Sequence, residues 1–206
     1  MHSATKRVFF GDCVFEVFEN VYEPAEDSFL FAEHLEVKAE AKVLEIGTGS
    51  GILGIVAAKS AGEVVSIDLN PHAVRCAKAN AKLNQTERIM SFVQGDLLTS
   101  LSETAKFDLI LFNAPYLPSE PGEEDSWLGR AWSGGPFGRQ VIDRFISQVA
   151  SHLEPSGEIL LMQSNLANVE QSIELFKAAG LKTKIVAKLA LPFFETIYLL
   201  RAVFLE

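Results

Sequence analysis

Lys42-Val43-Leu44-Glu45-Ile46-Gly47-Thr48-Gly49-Ser50-Gly51-Ile52-Leu53-Gly54 decides the architecture of this chain. Its first five residues form an apolar run of strand length, and the glycines that follow let the backbone turn tightly. Residues 52–60, rich in small side chains, then read as a helix. Strand, glycine turn and helix in that order open a unit whose next strand lies parallel to the first.

Downstream the alternation continues. Residues 64–67 are a second strand, and Pro71 opens a helix running to about Leu83, as proline does at a first helical position. Residues 90–93 are a third strand, and 107–112, almost wholly apolar, a central fourth. A helix around 137–153, a strand at 158–162 and a helix over 167–179 follow. The runs 183–188 and 196–204 read as an antiparallel strand pair. Upstream, 7–18 form a hairpin around Gly11-Asp12, and 26 to about 37 a helix with acids in its first turn. The expected fold is α/β: one doubly wound, Rossmann-like sheet with helices on both faces. A single domain spans 1–206, with 1–38 an N-terminal extension and 39–206 the cofactor-binding and catalytic core.

The 206 residues are 48% hydrophobic and 22% charged, which suits one ordinary globular domain. No apolar run approaches the roughly 18 residues of a membrane span, and the start shows no signal-peptide pattern, so neither a span nor secretion is expected. Cys13 and Cys76 supply neither a disulfide framework nor paired zinc spacing, and the four histidines form no ligand pair. A reduced, cytoplasmic protein without a metal is expected. The net charge of −9 counts against a nucleic-acid partner, because phosphate contacts call for a basic face. A basic protein is the better match.

Ligands of such sheets bind beyond the carboxyl ends of the strands. Gly49-x-Gly51-x-x-Gly54 also fits the dinucleotide fingerprint, so the glycines alone leave NAD and S-adenosylmethionine open. Three acids separate them. Glu45, two residues before Gly47, would repel a pyrophosphate but suits an ammonium and a sulfonium. Asp68 ends the second strand, where an acid takes ribose hydroxyls. Asp96, after the third, can accept from an adenine amino group while Leu97 covers the ring. The expected cofactor is S-adenosylmethionine.

The fourth strand runs into Asn113-Ala114-Pro115-Tyr116. This resembles the amino-methyltransferase superfamily, whose corresponding strand ends in Asn/Asp-Pro-Pro-aromatic. An amide nitrogen is a poor nucleophile, its lone pair being delocalised into the carbonyl. The Asn113 side-chain oxygen and the Ala114 carbonyl can hold both N–H groups and fix the nitrogen for attack. Tyr116 can pack against the flat target group, and Pro115 stiffens the turn. Ala114 replaces the usual first proline. It keeps the carbonyl and gives up rigidity.

Two further stretches, Tyr22-Glu23-Pro24-Ala25-Glu26-Asp27-Ser28 and 132–145 (Trp-Ser-Gly-Gly-Pro-Phe-Gly-Arg-Gln-Val-Ile-Asp-Arg-Phe), complete the pattern. With the catalytic segment, they resemble the HemK-type glutamine methyltransferases, in their eukaryotic and archaeal branch, from about Arg7 onward. The resemblance implies methylation of the glutamine amide in the Gly-Gly-Gln motif of class I translation termination factors. It places Ser28, Glu45, Gly47, Asp68, Asp96, Leu97 and Asn113 on the cofactor, with Gly49 in the same turn. It places Asn113, Ala114, Pro115 and Tyr116 on the target amide, Asn113, Pro115 and Tyr116 being the catalytic set. It also implies a small zinc-binding activating subunit on an edge strand near Ile89 to Val93.

The acidic stretch Ser119-Glu120-Pro121-Gly122-Glu123-Glu124-Asp125 is expected to meet a basic substrate surface. Competing readings are an adenine-N6 methyltransferase on DNA or RNA, a protein lysine methyltransferase, and a non-catalytic binding protein that keeps the cofactor fold. Acidity opposes the first, the lack of a deprotonation route at Asn113 the second, and the intact catalytic segment the third.

Overall fold

The computed structural model describes residues 4–205. At its centre is a seven-stranded sheet of order β5-β4-β3-β6-β7-β9-β8. Its strands are β3 (Lys42–Ile46), β4 (Glu63–Asp68), β5 (Met90–Gln94), β6 (Phe107–Asn113), β7 (Leu153–Ser164), β8 (Leu181–Ala190) and β9 (Thr196–Phe204). The first five run parallel, whereas β9 lies antiparallel between β7 and β8. This is the doubly wound, Rossmann-like sheet that the sequence pattern predicts, with the expected antiparallel strand pair at its C-terminal end.

β3 and β6 are covered on both faces, so their apolar runs are nearly continuous; Val43, Leu44, Ile110 and Leu111 are all at 0% exposure. The helices α2 (Ile52–Ala57), α3 (Pro71–Leu83), α5 (Gln140–Val149) and α6 (Val169–Ala178) cover the faces, and the one-turn α4 (Trp127–Arg130) lies in the loop after β6. α3 begins at Pro71 behind an Asn70 cap, whose side chain accepts from the His72 amide, and ends at Leu83 as expected. α2 stops three residues short of the expected end, at Ala57, and α5 is confined to 140–149. Gly138, with φ +68, blocks an earlier start to α5.

β7 begins earlier than expected, at Leu153. The register jumps from the pair Phe107↔Leu153 to Leu109↔Glu158, so the segment from Pro155 to Gly157 is an irregularity within the strand. α1 (Glu26–Glu33) is shorter than the predicted 26–37. His34 caps it, with its ring nitrogen Nδ1 2.9 Å from the Leu30 carbonyl, and Glu40 then takes a left-handed conformation (φ 60) to enter β3.

The N-terminal hairpin forms between β1 (Ala4–Phe10) and β2 (Cys13–Phe18), around Gly11-Asp12. It docks on α3. The side-chain oxygens of Asn84 and Asn80 accept from the backbone amides of Val14 and Glu16 at 2.9 and 2.8 Å, an edge pairing made by side chains. Asn80 also donates to the carbonyls of Glu16 and Ser50. One buried amide thereby ties the hairpin to the glycine turn.

Among the described residues no helix is long and apolar enough to cross a membrane.

Candidate active site

Strand order reverses between β3 and β6, both of which pair from the centre, and the chain opens there into a cavity of about 650 Å³. Ser28, Glu45, Gly47, Gly49, Asp68, Asp96, Leu97, Asn113, Ala114, Pro115 and Tyr116 all line it. The whole set of site residues chosen from sequence therefore converges on one space, although their side chains are used differently.

Glu45 is 1% exposed and already engaged inside the protein. Its Oε2 accepts from Thr48 Oγ1 at 2.6 Å and Ser66 Oγ at 2.7 Å, and its Oε1 from the Gly54 amide at 2.8 Å. In the cavity wall its carboxylate also acts as a brace that locks the glycine turn to β4 and α2. Burial pushes its carboxyl up, against the three hydrogen bonds that favour ionisation. This brace explains Gly54: a Cβ there would overlap Glu45 Oε2 and lie 2.9 Å from Ser66 Oγ. The third glycine of the fingerprint makes room for an acid, not for a pyrophosphate.

Gly49 (φ +54) is the position that faces open space, where an added Cβ would meet nothing within 4 Å. Its amide donates to Asp68 Oδ2 at 2.9 Å, while Asp68 Oδ1 accepts from the Asn70 amide at 2.8 Å. Each Asp68 oxygen keeps a lone pair for a diol, and burial raises its carboxyl above the ordinary range. Gly47 and Thr48 donate their amides to the Ile67 carbonyl, so the turn is held without a ligand. Asp96 is bound by Arg144, whose guanidinium donates to its Oδ2 at 2.6 Å, a partner not anticipated from sequence. Leu97, 6% exposed with φ 51, is turned into the cavity wall. An open glycine cradle beside a diol-sized carboxylate and an apolar cover fits S-adenosylmethionine.

At the end of β6, Asn113 Nδ2 donates to Asp27 Oδ2 at 2.9 Å, whereas Asn113 Oδ1 is buried with no hydrogen-bond partner. A carboxylate can only accept, so Asp27 fixes which way the Asn113 amide points. Asp27 is 7% exposed and a hub: its Oδ2 also accepts from Tyr116 Oη at 3.3 Å. Its Oδ1 accepts from the Ser28 amide at 2.6 Å, Ser28 Oγ at 3.2 Å and Tyr22 Oη at 3.3 Å. Sequence reading treats Asp27 as a helix-terminus acid and misses this role. Its place four residues before Phe31, on the inward face of α1, was the available signal. Burial, with the Asp27 charge second, drives the Tyr116 hydroxyl well above its ordinary range. Tyr116 thus stays neutral and cannot serve as a base.

The glycine-rich stretch after Trp132 clasps the catalytic segment. Leu117 donates its amide to the Trp132 carbonyl and accepts from the Gly134 amide, both at 2.9 Å, and Ser119 donates to Gly135. A Cβ on Gly138 would overlap the Tyr116 carbonyl. Arg139, 7% exposed, turns away from the cavity to the Ala167 and Asn168 carbonyls and to Asp143. No group of His, Cys, Asp and Glu suited to a metal is found among the described residues.

Fold and cavity together define a class I S-adenosylmethionine-dependent methyltransferase. The model of the methyltransferase small domain matches residues 23–126. A relative from Methanocaldococcus jannaschii, named for protein N5-glutamine methylation, is 44% identical over 85% of this chain and 88% of its own. The human methyltransferase HEMK2 is 37% identical over 80% of this chain and 81% of its own. The solved E. cuniculi Mtq2–Trm112 complex, described as responsible for methylating the eRF1 translation termination factor, superposes with a TM-score of 0.66. It is 26% identical and covers 90% of this chain and 99% of that one. This chain belongs to the HemK-type glutamine methyltransferases.

Proposed function

We propose that the enzyme methylates the side-chain amide nitrogen of the glutamine in the Gly-Gly-Gln motif of a class I translation termination factor. The observation that carries this reading is the buried, unpartnered Asn113 Oδ1 in the cavity wall. A buried acceptor without a donor is costly, and a primary amide from outside supplies the donor. Asn113 Oδ1 takes one target N–H and the Ala114 carbonyl the other. Two acceptors on one nitrogen orient its remaining lone pair and stabilise the positive charge that builds on it.

S-adenosylmethionine supplies the methyl group as an electrophile when bound. Gly47, Gly49 and Asp68 hold its ribose and amino-acid portions, with Ser28, Asp96 and Leu97 completing the pocket and Glu45 fixing the turn from beneath. Tyr116 packs its ring on the target amide while Asp27 restrains its hydroxyl. The displaced proton leaves the nitrogen for solvent after transfer, which needs no protein base. Glu120 and Glu124 line the mouth of the cavity and give a basic substrate a complementary rim.

A small zinc-binding activating subunit fits the opposite end of the sheet. β5 is an edge strand, with Ser91 exposed and Phe92 and Val93 half-buried, and an unpaired edge invites pairing. The E. cuniculi relative was solved as a complex with Trm112. Full solubility and activity of the chain alone would contradict the assignment.

The test is incubation with methyl-labelled S-adenosylmethionine and, separately, a termination factor, its Gln-to-Ala variant and nucleic acid. Label is expected on the first alone; label on nucleic acid would overturn the reading.

A further inference from the structure

Phe193 and Phe194 stand at the tip of the β8–β9 hairpin, 96% and 98% exposed. They are the most exposed large hydrophobic side chains among the described residues. Both also have left-handed backbones, with φ 61 and 63. Bulky residues avoid that conformation, and such strain persists only where the surroundings impose it. Here Leu191 donates its amide to the Glu195 carbonyl at 2.8 Å and closes the loop. Asn165, just past β7, grips the tip from below. Its Nδ2 donates to the Phe194 carbonyl at 3.2 Å, and its Oδ1 accepts from the Thr196 amide at 2.7 Å. The fold holds two aromatic rings outward at a conformational cost and gains no burial from them.

The register shows where they stand. Asn113 pairs with Met162 of β7, which pairs with Leu199 of β9. Two inter-strand steps put β9 about 10 Å to the side of Asn113, and the three residues back to Thr196 raise the tip by about 10 Å. It therefore overhangs the carboxyl ends of the strands, on the face where the cavity opens. The charge of Glu195, the next residue, reaches both Tyr22 and Tyr116, which line that cavity. A protein that delivers a side chain to Asn113 must cover this rim. A second copy of the chain, or a subunit on β5 at the far edge of the sheet, need not.

We infer that Phe193 and Phe194 form a docking point for the protein that carries the target glutamine, entering an apolar recess on that substrate beside the mouth of the active site. The inference rests on the proposed substrate class and adds the surface that recognises the folded substrate beyond its glutamine loop. The occupant is a protein surface with an apolar centre. Its rim is basic, because Glu195, next to the tip, and Glu120 and Glu124, which line the cavity, are acidic.

The test compares wild-type enzyme, with its activating subunit present, against Phe193→Gly/Phe194→Gly and Phe193→Tyr/Phe194→Tyr. Substrates are an intact termination factor and a short peptide containing Gly-Gly-Gln. The glycine pair accepts the left-handed backbone, so the hairpin survives and the melting temperature holds or rises. Its KM for the intact factor should rise about 10- to 30-fold, as for paired aromatic anchors, with kcat at saturation and peptide KM unchanged. The tyrosine pair should keep the wild-type KM. An unchanged KM of the glycine pair for a factor that the wild type methylates would overturn the docking assignment alone. No methylation of the factor by wild type would overturn the proposed substrate, and the docking assignment with it. A switch from dimer to monomer at unchanged KM would show that the rings seat a second copy, which also overturns it.

Discussion

Replacing Asp27 by asparagine keeps the shape of the side chain but converts one of its acceptors into a donor. Which one is converted follows from the structure. The Ser28 amide lies 2.6 Å from Oδ1 and can only donate, so the carbonyl oxygen of the new side chain must stay there. The new NH2 then faces Asn113 Nδ2, which in the wild type donates to Oδ2 at 2.9 Å. Two donors cannot share that contact, so Asn113 rotates, offers its oxygen to position 27 and turns its own NH2 into the cavity. The group that should accept from the target amide becomes a donor that opposes it. Losing one preorganised partner of a reacting group costs about 2.7–4 kcal/mol, a drop of roughly 100- to 1,000-fold in kcat. The Ser28 contact persists, so cofactor affinity should stay within about threefold of wild type. The assay is single-turnover transfer from labelled S-adenosylmethionine, with cofactor binding followed by calorimetry. A variant that transfers methyl groups within about threefold of the wild-type rate would refute the claim that Asp27 sets the Asn113 amide.

Gly54→Ala drives a Cβ into Glu45 Oε2 and to 2.9 Å from Ser66 Oγ, both in a packed interior. It should destabilise the fold by about 1–3 kcal/mol, read as a lower urea midpoint at constant m-value. Glu45 also predicts a pH dependence. Its carboxyl is raised by burial above 4.5, so the folded state binds the proton more tightly than the unfolded chain. Its contribution is full below that value and is lost as pH rises through the folded pKa. Denaturation midpoints should fall less steeply over that window in Glu45→Gln than in wild type. Parallel profiles would remove Glu45 as their source.

The order of elements was readable from the sequence because the strands of a parallel sheet are buried on both faces and announce themselves as apolar runs. Pro71 marked one helix start through local chemistry alone, whereas the Asn70 cap behind it was seen only in the structure. The β7 start was not legible, since Pro155 and Gly157 look like a loop, and only pairing with Phe107 and Leu109 carries the strand past them. The site was legible as a set of positions and less so as a set of roles. Glu45 was read from its place at a strand end. Whether a carboxylate there faces the cavity or folds beneath the turn depends on Thr48, Ser66 and Gly54, the last two brought to it by the fold. Asp96 acquires Arg144 from 48 residues away, and Asp27 reaches Asn113 across 86. Contacts of that separation leave no spacing pattern to read. The flanking glycines after Trp132 were visible as composition, but their clasp on Leu117 and Tyr116 exists only once α5 is packed.

The most direct measurement is mass spectrometry of an intact termination factor after reaction with wild type and with Asn113→Ala. Wild type should add one methyl group, on the side-chain amide of the glutamine in Gly-Gly-Gln. Asn113→Ala should lose this product while still binding the factor. A methyl group on lysine, or an undiminished rate in Asn113→Ala, would contradict the assignment.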